Sequence, residues 1–359
     1  MKLIKYTAAA TLLSGVASAQ GLFDINPNES ESDSSPLRYT AGVAFGYDDN
    51  VNPTTFGPED SSTYVKADLG ANLVVRGEQT SWDINAGVGA THYLDDVRVD
   101  DTVYNGNLAL NLNHRINDRV RFVSRNFFNY GLDLGNFYGP ITSRQIEEYT
   151  YFSTDNAIGY RWTDRLATYT GIAYSMLDYD GDGNDVNSFA IYNQFRYTLN
   201  QQSTLTATAR YTMSDYDTSD TDRVTASVGF EHRLSDDSSV VFSVGAQFGD
   251  RTSAYGNLSY NHQVNSQLRA RVFARYSQED TDTVFGGDRY EDKTSLRIGA
   301  AADYTLSPQV TLTIGGNYTM SDYKDATALP DGDWDLFNIY VGATYKINDV
   351  LSLRASANH

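Results

Sequence analysis

From Leu37 onward, apolar side chains of this chain recur at every second position over long runs. In 308–320, Val310, Leu312, Ile314, Gly316 and Tyr318 share one face, while Thr311, Thr313, Gly315, Asn317 and Thr319 share the other. In 103–113, Tyr104, Leu108, Leu110 and Leu112 oppose Asn105, Asn107, Asn111 and Asn113. A period of two is the signature of a strand with two unlike faces. These runs of about 10–15 residues exceed the roughly five or six of an ordinary soluble strand and match the roughly 9–11 that cross a membrane at a tilt. The pattern predicts strands near 37–47, 63–76, 80–94, 102–117, 118–132, 148–163, 164–177, 186–200, 201–215, 223–235, 237–249, 253–265, 266–278, 293–307, 308–322, 335–348 and 349–359.

A short phrase punctuates them: Tyr or His, a polar residue, an apolar residue, then Asn, Ser or Thr. It occurs at His114–Asn117, Tyr160–Thr163, Tyr197–Asn200, His232–Ser235, His262–Asn265, Tyr304–Ser307 and Tyr345–Asn348, and each copy is followed at once by another alternating segment. Such abrupt restarts predict two-residue hairpin turns gathered at one end of the structure. A second phrase, at Tyr174–Tyr179, Tyr211–Tyr216 and Tyr318–Tyr323, opens into acidic stretches expected to be long loops at the other end. Short turns and long loops then alternate strictly. The fold expected is all-β: a transmembrane up-and-down antiparallel β-barrel of 16–18 strands, with 17 in this chain. Bacterial single-chain barrels have even strand numbers, so the intact wall is expected to hold one strand more; the alternative is a 16-stranded barrel with 349–359 as a tail. A secreted β-sandwich would alternate too, but its water-facing side would carry more Lys and Glu.

Composition narrows the function. The chain has no Cys, so thiol, disulfide and thiolate-metal chemistry are absent. Its 27 Lys and Arg against 46 Asp and Glu give a net charge of −19, the wrong sign for binding nucleic acid. Beyond the first twenty positions no apolar run is long enough for a membrane helix. A polar average still suits a barrel, because only alternate residues meet lipid. Residues 1–19 read as a secretory signal peptide, with Lys2 and Lys5, an apolar Ala8–Val16 stretch and Ala17-Ser18-Ala19. Residues 20–36, acidic and rich in Ser, read as a disordered periplasmic leader, and 37–359 as the barrel.

Parity places most strand cations inside: Arg115, Arg121, Arg125, Arg161, Arg196, Arg210, Arg233, Arg269, Arg271, Arg275, Arg297 and Lys346, partly offset by Asp68, Asp83, Asp155, Glu231 and Asp303. As pore-lining groups the arginines would favour anions or hydrogen-bonding sugars; they also suit simple pairing with carboxylates along the wall. The stretch 133–147 is a long loop with Phe137, Tyr138, Ile141, Arg144 and Ile146, and by analogy with general porins it is a candidate constriction loop. Asp178, Asp180 and Asp182 form a weak Ca²⁺ candidate, since Phe189 stands where an EF-hand loop needs Glu. His92 near Asp95 and Asp96 has no nucleophile beside it, so no enzyme is expected. No cofactor is implied.

Gly46-Tyr47-Asp48-Asp49-Asn50-Val51-Asn52 resembles the phrase that opens members of the β-barrel porin 2 family. That resemblance implies an outer-membrane barrel, in some members one that accompanies exopolysaccharide export, and brings no catalytic residues. The function expected is passive diffusion of small hydrophilic solutes through an outer-membrane porin. Polysaccharide export and a structural or adhesive barrel are the alternatives. Expected partners are outer-membrane lipid, lipopolysaccharide and the solutes themselves.

Overall fold

The computed structural model describes residues 36–48, 51, 61–95, 101–132, 148–180, 185–216, 219–249, 252–280, 284–285, 288–289, 292–324, 332–348 and 351–358. The signal peptide and nearly all of the leader lie outside them. The strands are β1 (Leu37–Asp48), β2 (Ser62–Arg76), β3 (Thr80–Tyr93), β4 (Thr102–Arg115), β5 (Val120–Leu132), β6 (Glu148–Arg161), β7 (Leu166–Tyr179), β8 (Val186–Asn200), β9 (Ser203–Tyr216), β10 (Ser219–Ser235), β11 (Ser238–Phe248), β12 (Thr252–Gln263), β13 (Leu268–Asp280), β14 (Val284–Phe285), β15 (Asp288–Arg289), β16 (Asp292–Ser307), β17 (Val310–Lys324), β18 (Gly332–Lys346) and β19 (Ser352–Asn358). No described residue is helical.

All but β14 and β15 belong to one 17-stranded antiparallel sheet. Each strand in it hydrogen-bonds the next in the chain, from β1–β2 to β18–β19. Among the described residues no pair joins β1 to β19. The up-and-down meander is therefore as the alternation requires. β14 and β15 form a separate two-residue hairpin between β13 and β16 that the period-two pattern is too short to reveal.

All seven short-turn phrases sit at one end, and their fourth residue explains them. In each, the Asn, Ser or Thr side-chain oxygen accepts backbone N–H groups from two or three residues on: Asn117 from Arg119 and Val120 (2.9 Å each), Asn265 from Gln267 and Leu268 (2.8 and 2.9 Å). Thr163, Asn200, Ser235, Ser307 and Asn348 do the same. A polar side chain thus takes up the N–H groups that the turn removes from the ladder. Where the tip is described it has two residues, and the incoming strand carries an extra residue. The N–H groups of both Ile116 and Asn117 reach Val120 O, and the register shifts between Thr198 and Asn200, Arg233 and Ser235, and Thr305 and Ser307.

The strict alternation of short turns with long loops does not hold. The turn end keeps to it, with β2 and β3 joined there through Gly77-Glu78-Gln79 even without the phrase. At the other end β9 runs to Tyr216 and β10 starts at Ser219, so the acidic Asp215–Asp222 stretch, expected as a long loop, is mostly ladder. β11 and β12 are likewise separated by only 249–251. Thr and Ser alternating with the acids sustain the pairing beyond the apolar segment.

Candidate functional site: the arginine-rich inner face

The register fixes which side chains share a face. Starting from Ile314, cross-strand partners lead through Val341 and Ala302 to Ala270 and onward around the sheet, and the face so traced is apolar. Its large side chains are exposed: Leu69, Val88, Leu108, Ile158, Ile191, Val228, Val272, Ile298 and Ile314 among them. The apolar residue of every turn phrase lies on it at the strand end, from Leu199 at 41% exposed to Trp162 at 56%. The Tyr or His of each phrase stands on the same face two positions earlier. Toward the other end the face carries Tyr47, Tyr104, Tyr130, Tyr174, Tyr211, Tyr276 and Tyr318. Two aromatic rims flank an apolar band, as headgroup-level belts flank a hydrocarbon core. This is the wall of an outer-membrane β-barrel.

The opposite face carries the charge. Arg115, Arg121, Arg125, Arg161, Arg196, Arg210, Arg269, Arg271, Arg275 and Arg297 all fall on it, with Asp83, Asp155, Glu231 and Asp303. So do Arg38, Arg76, Arg223 and Arg354, which the sequence reading passed over although the same parity identifies them.

The register gathers the arginines into two groups. In the first, Arg115 lies directly across from Arg121, and Arg125 across from Asp155. Asp155 Oδ1 also accepts the Tyr192 hydroxyl at 2.5 Å. Tyr192 belongs to β8 and Asp155 to β6, so the ring must cross β7. It does so over Gly171, where a Cβ would collide with the ring. Gly159 likewise leaves room for Tyr169. The Arg210 guanidinium lies 5.7 Å from the centre of the Tyr192 ring, within cation–π range. Farther toward the turns, Arg196 spans β9 to grip Glu231 with two bonds, at 2.9 and 2.6 Å. Their side chains are 14% and 5% exposed, so this pair is a wall tie more than a solute contact.

The second group is more open. Arg275 stands opposite Arg297, Arg271 opposite Ala301, and Arg269 opposite Asp303. Arg269 Nε donates to Gln263 Oε1 at 3.2 Å, and Thr313 donates to Asp303 at 2.8 Å. Arg297 lies 5.8 Å from the Phe273 ring centre. Like charges directly across a strand pair repel, and among the described residues two arginine pairs are so opposed, Arg115/Arg121 and Arg275/Arg297. Their positive potential extends into the space the inner face borders.

The remaining expected sites fall wholly or partly outside the described residues. Phe137, Tyr138 and Arg144 of the candidate constriction loop lie outside the described residues, as do Asp182 of the Ca²⁺ candidate and Asp96. Asp178 is on the outer face of β7, and Asp180 just beyond the strand donates its N–H to Glu148 O. Among the described residues no three His, Cys, Asp or Glu side chains group as metal ligands. His92 bonds Thr102 at 2.9 Å on the outer face, while Asp95 accepts the Thr63 N–H at 3.3 Å. Asp48 and Val51 of the Gly46–Asn52 phrase are buried, at 2% and 3% exposed.

No family model matches the chain, and no curated protein matches it. Solved structures similar to it include the copper transporter OprC, at 12% identity and a TM-score of 0.45, covering 89% of this chain and 69% of that one. The ferric enterobactin receptor PfeA of Pseudomonas aeruginosa is 9% identical with a TM-score of 0.48, covering 92% of this chain, which spans 62% of PfeA. The siderophore receptor PirA of Pseudomonas aeruginosa is 10% identical with a TM-score of 0.45, covering 91% and 71%.

Proposed function

We propose that this chain is a porin through which small hydrophilic solutes, anions and saccharides foremost, diffuse across the outer membrane without energy input. The observation that carries this reading is the sorting of charge. A chain of net charge −19 turns the arginines of its long strands to one face and opposes two pairs of them directly. Fixed positive charge along a narrow path bounded by lipid focuses field and raises the local concentration of anions. The Tyr192 ring, with the Arg210 guanidinium 5.7 Å from its centre, offers sugars an aromatic surface and hydrogen-bond donors together. The Gly46–Asn52 phrase is the support for placing the chain near the β-barrel porin 2 family.

The test is conductance of the refolded protein in a planar bilayer under a salt gradient. Steady ohmic steps whose reversal potential marks anion preference are expected. Folded, heat-modifiable protein that passes no current, or that prefers cations, overturns the proposal.

A further inference from the structure

The outer face is apolar at mid-strand everywhere except on four neighbouring strands. There the outward positions are Ser124, itself covered at 7% exposed, and Asn126 on β5, Thr154 and Asn156 on β6, Thr170 on β7 and Asn193 on β8. These residues interrupt the apolar band. They form two hydrogen-bonded groups on adjoining strand pairs. Asn126 donates to Ser124 Oγ at 3.0 Å and accepts from Thr154 at 2.7 Å; Asn156 donates to Thr154 at 2.7 Å, and Asn193 to Thr170 at 2.6 Å. Phe128, Ile158, Ile172, Ile191 and Phe195 surround this patch, exposed and apolar.

A one-residue slip would turn every side chain to the other face, but it would carry Arg121, Arg125, Asp155 and Arg196 into lipid. The charges inside hold the amides outside. Bonds within the patch leave capacity unused. Each Asn amide carries two N–H groups; Asn126 uses both, on Ser124 Oγ and Leu110 O, whereas Asn156 and Asn193 each donate a single bond among the described residues. Hydrocarbon supplies neither donors nor acceptors.

The geometry points to a second copy of this chain as the occupant: β5–β8 form a two-fold interface within the membrane, with the Asn/Thr patch at its centre. Copies inserted in one orientation can be related by a two-fold axis along the membrane normal, and such an axis preserves depth. A polar band at one depth on one copy therefore meets the same band on the other. Hydroxyls and carboxamides both donate and accept, so each group can pair with its own duplicate, as polar side chains do between membrane segments. The patch has no net charge to call for a partner of opposite sign. This inference does not depend on the solute proposed above.

Because the chain contains no Cys, single-cysteine variants give a clean test. Asn156→Cys is expected to form disulfide-linked two-copy species on oxidation in membranes. Val244→Cys, mid-strand on the outer face of β11, should stay single. A combined Asn126→Leu, Thr154→Val, Asn156→Leu variant should retain the heat-modifiable barrel while its native mass in detergent shifts from two copies to one. Wild-type protein of one-copy mass, equal cross-linking at 156 and 244, linkage of position 156 to a different protein, or a two-copy mass that survives the combined variant would each overturn the inference. If the combined variant fails to fold, the two cysteine variants decide it.

Discussion

Ile314 and Thr313 are neighbours in β17 with opposite surroundings. Ile314 is 56% exposed on the apolar face, whereas the Thr313 hydroxyl bonds Asp303 on the charged one. An arginine at mid-bilayer on the lipid face costs about 2–4 kcal/mol, so Ile314→Arg should lower unfolding free energy in vesicles by that amount. Thr313→Arg brings a cation beside Asp303 and should change it little. Equal costs at the two sites would mean that the faces are assigned the wrong way round. At Glu231 the issue is a charge left behind. Glu231→Ala strands the Arg196 guanidinium with 14% exposure, and breaking such a pair costs about 3–5 kcal/mol. Urea titration of the folded barrel should show that loss, and Glu231→Ala with Arg196→Leu should recover part of it.

At the scale of strands and turns, the recurring phrase reads as structure almost completely. The third residue is an apolar foot in the membrane boundary and the fourth closes the turn. Asn265→Ala removes the acceptor for two backbone N–H groups. At about 0.5–1.5 kcal/mol for each hydrogen bond lost, it should cost roughly 1–3 kcal/mol, while Asn265→Asp, which keeps the acceptor, should cost less; equilibrium unfolding compares them. Strand positions were legible because period two and the phrase are local signals. The Gly77-Glu78-Gln79 turn lacks the phrase, yet the alternation alone placed strand ends at 76 and 80 on either side of it, whereas the length of β9 and β10 was hidden because acidic residues at 215–222 look like loop until they are paired. The Tyr192–Asp155 bond needs Gly171 between them, and no spacing along the chain announces that. The outer polar patch was hidden for a similar reason. Ser124, Asn126, Asn156 and Asn193 are scattered over seventy residues and become neighbours only through three registers.

For the whole molecule, the division of charge is what links fold to transport. Acids outnumber basic residues, yet both opposed arginine pairs face inward. Arg271→Glu with Arg275→Glu changes the second group by four charges on two side chains without touching the outer face. Reversal potentials across a salt gradient should move toward cation preference, and the shift should shrink at high salt as screening shortens the reach of the field. An unchanged reversal potential would mean that these side chains lie off the solute's path.

Because the backbone ladders among the described residues join each strand of the sheet only to the strands before and after it in that sheet, an adjacent pair free of longer side-chain ties is a separable module. Excising β11 with β12 would leave β10 facing β13, still running antiparallel, with inward and outward sides still matched. The girth of such a wall can therefore grow or shrink two strands at a time through copying or loss of a hairpin. Among the sequence's recurring phrases, the seven capped turns have the form such copying would leave behind.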